Sequence, residues 1–369
     1  MAAERVREIS TSLIRRMFEI VERAKREGKD VINLSIGEPD FSTPAELIDL
    51  AHEYMRKGYT HYTPNLGLEE LREVIAERYG VEKDEVMVTV GASEALLNAS
   101  LAFIEQGSDV LIHTPSFLSY FTYARLGMGN IVEISTFSDF RLNPDDVAEK
   151  LSGNTSLMFL NFPTNPTGAV LGQKELDAVH QALDGRAVIV SDEVYDRIYY
   201  DKKPGTLAGY ENAVVVNAFS KTLAMTGWRI GFVIADRDLL DEMLKVHQVN
   251  GVCAPAFAQK AVADFMADGK DREFVEGMVR EFRKRRDFVV SRLKRHFDVV
   301  EPQGAFYVFA KAYSGFIEDV LLEKGVALTP GNAFGSGLED YFRLSYATSM
   351  ENLEKAMDRI DEFMEEKKY

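Results

Sequence analysis

Lys221 lies in the stretch Phe219-Ser220-Lys221-Thr222-Leu223-Ala224-Met225-Thr226-Gly227-Trp228-Arg229-Ile230-Gly231, among small and hydroxyl residues. An amine that loses its proton there could attack a carbonyl while Arg229, eight positions on, holds a nearby anion. An ordinary lysine has a pKa of roughly 10.4, so this chemistry requires desolvation or neighbouring positive charge. Alone, a Ser-Lys pair carries little weight, because most lysines are solvated. A second anion site is written in Gly91-Ala92-Ser93-Glu94-Ala95, which follows the apolar run Val86–Val90 and opens a helical stretch. Free backbone N–H groups and the helix dipole meet at such a junction. Arg229 adds permanent charge with bidentate geometry, and Ser220 a hydroxyl. Arg343 follows an aromatic pair in a strand-like run, where an arginine is unexpected unless it is paired in a structural salt bridge or faces a ligand.

Two upstream segments share the chain with the lysine: Asn161-Phe162-Pro163-Thr164-Asn165-Pro166-Thr167-Gly168 and Ser191-Asp192-Glu193-Val194-Tyr195. In this order the three resemble the class I/II aminotransferases of fold type I, in the aspartate/aromatic subgroup, which use pyridoxal 5'-phosphate (PLP). The resemblance runs from Gly37-Glu38-Pro39-Asp40-Phe41 to Phe342-Arg343-Leu344-Ser345-Tyr346-Ala347-Thr348, nearly the whole chain. It implies that Lys221 holds the cofactor and then moves the substrate proton. Asp192 is expected beside the ring nitrogen, with Glu193 as the rival carboxylate; an Asp capping the turn is the plainer alternative. Tyr195 and Asn165 would reach the ring hydroxyl, a core aromatic with a wet tip being the plainer but weaker alternative for Tyr195. Gly91, Ala92, Ser93, Ser220 and Arg229 would hold the phosphate, and Phe117 would stack on the ring.

Tyr62, in His61-Tyr62-Thr63-Pro64, resembles the tyrosine that reaches the phosphate of a neighbouring subunit, which implies a homodimer with shared active sites. Arg343 would anchor the substrate α-carboxylate, with backbone from Ile36 and Gly37 close by. The resemblance also implies cis bonds at Thr114–Pro115 and Asn165–Pro166. Two positions depart from the family. Many relatives carry a phosphate-binding serine three residues before the lysine, where this chain has Ala218. Some aspartate-specific relatives carry a lysine two residues after the phosphate-turn glycine, where this chain has Ser93. With Phe117, Tyr120 and Tyr123 near the expected pocket, the expectation is transamination of aromatic or varied L-amino acids with 2-oxoglutarate, aspartate remaining open. Arg15 and Arg16 are candidates for a side-chain contact, against a solvated helix face. A PLP-dependent carbon–sulfur β-lyase is the rival enzyme. A cofactor-binding regulator would need a helix-turn-helix extension or a lost lysine, and neither is present.

The elements that must position these residues are legible as an alternation. Val86–Val90, Val110–His113, Ile131–Ile134, Leu157–Asn161, Val188–Ser191, Val214–Asn217 and Gly231–Ala235 read as strands. Ser93–Glu105, Phe117–Leu126, Asp145–Leu151 and Gln173–Leu183 read as helices between them. Such alternation implies an α/β protein with a mostly parallel seven-stranded sheet covered on both faces. Its functional loops should lie beyond the carboxyl ends of the strands. A polar helix from about Asp271 to Phe297 leads to strand-like Gly304–Phe309 and Tyr341–Tyr346, then to a terminal helix Met350–Glu366. The expected division is a large PLP-binding domain over 38–280 and a smaller α+β domain from 1–37 and 281–369. The resemblance packs a first helix, Thr11–Arg26, with the latter.

A chain of 369 residues accommodates one large domain and a smaller one. The net charge of −16 argues against nucleic acid and anionic membrane as partners. The cluster Arg283-Lys284-Arg285-Arg286 reads as a solvated helix face amid acidic residues. One cysteine, Cys253, excludes an intrachain disulfide and fits a reducing cytoplasm, and the charged N-terminus lacks a signal-peptide core. The six histidines show no metal-ligand spacing, so no metal is expected, and no Gly-x-Ser-x-Gly elbow supports a serine hydrolase.

Overall fold

The computed structural model describes residues 3–7, 9, 13–137 and 139–367. At its centre the seven expected strands form one sheet. Across it the order is Val86–Thr89, Gly231–Ala235, Ala213–Ala218, Val188–Asp192, Thr155–Asn161, Asp109–Thr114, Asn130–Ser135. Gly231–Ala235 runs antiparallel to both neighbours and every other pairing is parallel. These strands carry β-branched and aromatic residues on both faces because both are buried. Val215, Ile189 and Leu160 enter one hydrophobic core, while their neighbours Val214, Val216, Val190 and Phe159 enter another on the opposite side. That alternation is the period of two of a pleated strand. Among the covering helices are Gly91–Phe103, Ser119–Leu126 and Gln173–Ala182.

A third core joins the two ends of the chain. Met17 and Val21, on helix Leu13–Arg26, share it with Phe306, Val326, Leu353, Met357 and Phe363. Here Tyr341–Ser345 is the middle strand of a small antiparallel sheet, between Thr329–Pro330 and Tyr307–Lys311. The strand expected from Gly304 begins only at Tyr307, because Ala305 turns the chain with φ of +54°. The 24-residue helix Lys270–Leu293 runs unbroken between the cores, with Val275 in one and Phe282 and Val289 in the other.

The basic cluster departs from its expected role. Arg285 and Arg286 are buried, with relative exposures of 7% and 4%. Arg285 pairs with Asp40 at 2.7 Å and Glu281 at 3.1 Å, and Arg286 with Asp201 at 3.0 Å and Asp287 at 2.7 Å. A helix this long turns one stripe inward wherever another element lies against it. Among the described residues, no helix is long and apolar enough to cross a membrane, and no three His, Cys, Asp or Glu side chains form a metal-binding group.

Candidate active site

Beyond the carboxyl ends of the strands lies a cavity of about 290 Å³, near the lower bound for small-molecule sites. Its wall includes Gly37, Ala92, Ser93, Phe117, Asn165 and Asp192. Tyr195, Ser220, Lys221, Arg229 and Arg343 complete the expected set. Three expected residues do not line it. Ile36 is outside the wall although Gly37 is in it; Gly91 lies against Arg229; and Tyr62 is 86% exposed.

Strand Ala213–Ala218 delivers Lys221 on a single helical turn, Phe219–Thr222. Its Nζ donates to the Gly37 carbonyl at 2.8 Å. Burial lowers the amine from its ordinary range to about 8; Arg343 and Arg229 act in the same direction, Glu38 and Asp192 against it. About a tenth of this amine is therefore already neutral at pH 7, far more than for an ordinary lysine.

Asp192 ends its strand inside the cavity and is 4% exposed. One carboxylate oxygen accepts from the Tyr120 hydroxyl at 2.7 Å, the other from the Val194 N–H at 3.3 Å. Burial pushes its pKa up to about 6, against the pull of Tyr120, the Val194 N–H and Lys221. Its hydrogen-bond partners are neutral, so a cation placed against it would relieve the desolvation. Glu193 is outside the cavity wall, accepting from Ser191 Oγ at 2.9 Å and Leu207 N at 3.0 Å. It lines a separate polar cleft with Tyr79 and Asp196, so the two adjacent carboxylates serve different cavities.

Helix Gly91–Phe103 begins without any side-chain cap, leaving its first N–H groups free for an anion. Gly91 has φ of +73°, and a Cβ on it would lie 2.5 Å from Arg229 Nη2. The missing side chain is what lets the guanidinium approach the helix end. Arg229, itself at φ +59°, donates to the Thr226 carbonyl at 3.0 Å. Ser220 and Ser93 line the wall, whereas Ala218 contributes no hydroxyl.

At the other end, Arg343 is 1% exposed in the middle strand of the small sheet. Its Nη1 donates to Asn165 Oδ1 at 2.9 Å; its Nη2 donates to the Ser35 carbonyl at 2.5 Å and Thr329 Oγ1 at 3.2 Å. Among the described residues no carboxylate pairs with it, and its Nε is without a partner. A structural salt bridge is thus replaced by a buried cation held in neutral hydrogen bonds, an arrangement that favours a visiting anion.

The residues fit PLP at three points: an uncapped helix end with Arg229 for a phosphate, Asp192 for a ring nitrogen that carries a proton, and Lys221 for an aldehyde. Phe117 stands edge-on to Tyr120, with centroids 5.6 Å apart. The bonds Thr114–Pro115 and Asn165–Pro166 are cis, as is Phe162–Pro163. Arg15 and Arg16 have side chains outside the described residues. Two contributors escaped sequence reasoning. Tyr120 was legible only as an aromatic near the pocket, yet its hydroxyl is engaged by Asp192. Tyr307 comes from the small sheet with no local motif, and its hydroxyl lies 2.9 Å from that of Tyr195.

The model of the family described as aminotransferase class I and II matches residues 29–360. An aspartate aminotransferase of Pyrococcus abyssi is 41% identical, covering 99% of each chain. The aromatic-amino-acid aminotransferase 2 of Thermococcus litoralis is 38% identical, also covering 99% of each. A solved structure of Thermus thermophilus aspartate aminotransferase with maleate superposes with a TM-score of 0.93 at 32% identity, over 98% of this chain and 99% of its own. This chain therefore belongs to the class I and II aminotransferases, PLP-dependent enzymes of fold type I that move amino groups between amino acids and 2-oxo acids.

Proposed function

We propose that the enzyme transfers the amino group of aromatic and varied L-amino acids to 2-oxoglutarate, as a cytoplasmic homodimer with shared active sites. The observation that carries this reading is the buried, carboxylate-free Arg343 facing Lys221 and Asp192 across one cavity. The large part, 38–280, contributes Lys221, Asp192, Tyr195 and the helix end; the small part, 1–37 with 281–369, contributes Gly37 and Arg343.

When bound, PLP supplies an aldehyde and an electron-withdrawing ring. Lys221, the buried amine with the lowered pKa, would hold the aldehyde and, when displaced by a substrate amine, would be the base placed to take the Cα proton and return it to the cofactor carbon. Asp192 would keep a proton on the ring nitrogen, with Tyr120 orienting its carboxylate. Tyr195, whose hydroxyl stays protonated in its buried setting, would give a hydrogen bond to the ring oxygen. Asn165, whose Oδ1 already faces Arg343, has its Nδ2 left for the same oxygen. Arg343 clamps the α-carboxylate, and the end of helix Gly91–Phe103 with Arg229 and Ser220 holds the phosphate. Tyr62, exposed on its own chain, would serve the phosphate of the partner.

The aromatic preference is supported by Ser93, which brings no charge for a distal carboxylate, and by the walls from Phe117 and Leu96. The relatives are named for aspartate and for aromatic amino acids at similar identity, so their names do not decide it. The test is a donor panel of phenylalanine, tyrosine, aspartate and alanine with 2-oxoglutarate, following glutamate. Aromatic donors should match or exceed aspartate, in graded steps, since one ring or methylene contact is worth about 1–3 kcal/mol. Aspartate preference with negligible aromatic turnover would refute the substrate reading. Pyruvate and a thiol from cystathionine, with no glutamate from any donor, would refute transamination itself.

A further inference from the structure

Tyr307 stands where the two working ends of the cavity meet. Its strand pairs with that of Arg343, Phe309 lying opposite the arginine, so Tyr307 is a diagonal neighbour on the same face. The Arg343 guanidinium covers its ring, 4.5 Å from the centroid. Its hydroxyl meets the Tyr195 hydroxyl at 2.9 Å, and both phenols are buried, at 0% and 3% exposure. The backbone makes room for this hydroxyl. A Cβ on Gly37 would lie 2.6 Å from Tyr307 Oη but 3.4 Å from the nearest ring carbon. Residue 37 therefore has to lack a side chain on account of one oxygen atom.

We propose that Tyr307 is a positioning residue of the reaction: its O–H donates to the Tyr195 oxygen and strengthens the hydrogen bond that Tyr195 gives the cofactor's ring oxygen. The inference rests on the role proposed above for Tyr195. A phenol carries one proton. Once Tyr195 points its own at the ring oxygen, only lone pairs face Tyr307, which must then be the donor. Hydrogen bonds in such a chain polarise one another. Because the same ring lies under Arg343, the carboxylate clamp and the ring-oxygen contact share one side chain.

The test is the pH midpoint of the visible absorbance of the PLP-loaded enzyme, which reports proton loss at the cofactor rather than turnover. Donation to the ring oxygen favours its ionised form, so a weaker donor raises the midpoint. Tyr195→Phe should raise it most. Tyr307→Phe should raise it by on the order of 0.1–0.7 pH unit, from a strengthening of roughly 10–30% on a charge-assisted bond. Gly37→Ala should raise it in the wild-type background, by pushing the Tyr307 hydroxyl away, and add nothing in the Tyr307→Phe background. Binding of 3-phenylpropionate, a monocarboxylate for Arg343, should survive Tyr307→Phe, which keeps the ring under the arginine, and weaken in Tyr307→Leu. An unmoved midpoint in Tyr307→Phe beside a raised one in Tyr195→Phe overturns the proposal and leaves the site reading intact. An unmoved midpoint in Tyr195→Phe overturns both. Equal shifts from Gly37→Ala in the two backgrounds would also sink it, and that arm reaches the hydroxyl without altering Tyr307.

Discussion

Capture of the cofactor by apoenzyme should follow the protonation of Lys221, and the structure sets where that happens. With the amine at about 8, about 9% of it is neutral at pH 7, against about 0.04% for an ordinary lysine near 10.4. Burial thus supplies on the order of two hundred times more nucleophile at that pH. Mixing apoenzyme with PLP and following the growth of visible absorbance from pH 6 to 10 reads the titration directly. A simple amine run under the same conditions divides out the aldehyde's own pH dependence. The corrected rate should climb about fiftyfold between pH 6 and 8 and flatten above 9. Glu38→Gln removes the carboxylate that most opposes the shift. It keeps an acceptor for the Thr226 hydroxyl, now 2.9 Å away, and should move the curve to lower pH. Stability carries the same signature with a fixed sign. The folded pKa is depressed, so stability present above the unfolded value near 10.4 is lost as pH falls through 8. Relative to a Lys221→Met apoenzyme, the wild type should lose on the order of 3 kcal/mol across that window and nothing further below it. A corrected capture rate still rising about sevenfold between pH 9 and 10, as for an amine near 10.4, would refute the argument, because the amine would then be an ordinary one.

Asp192→Ala should retain PLP on Lys221 yet lose about 10²–10³ in rate, by analogy with other lost electrostatic contacts, while Glu193→Gln, facing the other cleft, should lose little. A fall of less than about fivefold for Asp192→Ala, well under that range, in an assay of the half-reaction would show the wrong carboxylate was chosen. Gly91→Ala should weaken PLP binding measured by equilibrium dialysis, since its Cβ meets Arg229 at 2.5 Å and the left-handed backbone costs about 1–2 kcal/mol more; unchanged affinity would remove Gly91 from the phosphate site. Mixing inactive Tyr62→Phe and Lys221→Ala chains should restore some activity through hybrid dimers, and a fully active monomer in sedimentation would exclude shared sites.

All seven strands of the large sheet were legible in the chain, because a strand buried on both faces writes a continuous β-branched run such as Val214-Val215-Val216. The motifs around Lys221, Asp192 and Asn165 were legible for a related reason: each follows such a run and so lies at a strand's carboxyl end. Tyr307 was not. It reaches the cavity from a different sheet, more than a hundred residues after its partner Tyr195, and neither period nor composition marks it. Arg285 and Arg286 misled for the opposite reason. Their charges read as solvated, but Asp40 and Asp201, distant in sequence, make burial tolerable for them. Glu193 and Asp192 could not be ranked from composition alone; the direction of each side chain off the strand end separates them.

The core shared by Met17, Val21, Leu353 and Phe363 has a consequence for how the protein is made. Segments from both ends of the chain must meet there, whereas the large sheet is complete in sequence by Ala235. On a ribosome adding roughly 5–20 residues per second, the apolar stripe of helix Leu13–Arg26 emerges first and waits on the order of ten seconds or more for its partner. During that interval Met17 and Val21 are solvent-facing surface on a nascent chain, open to a chaperone or to a neighbouring chain on the same message. Moving residues 13–34 to the carboxyl terminus by circular permutation would shorten the wait.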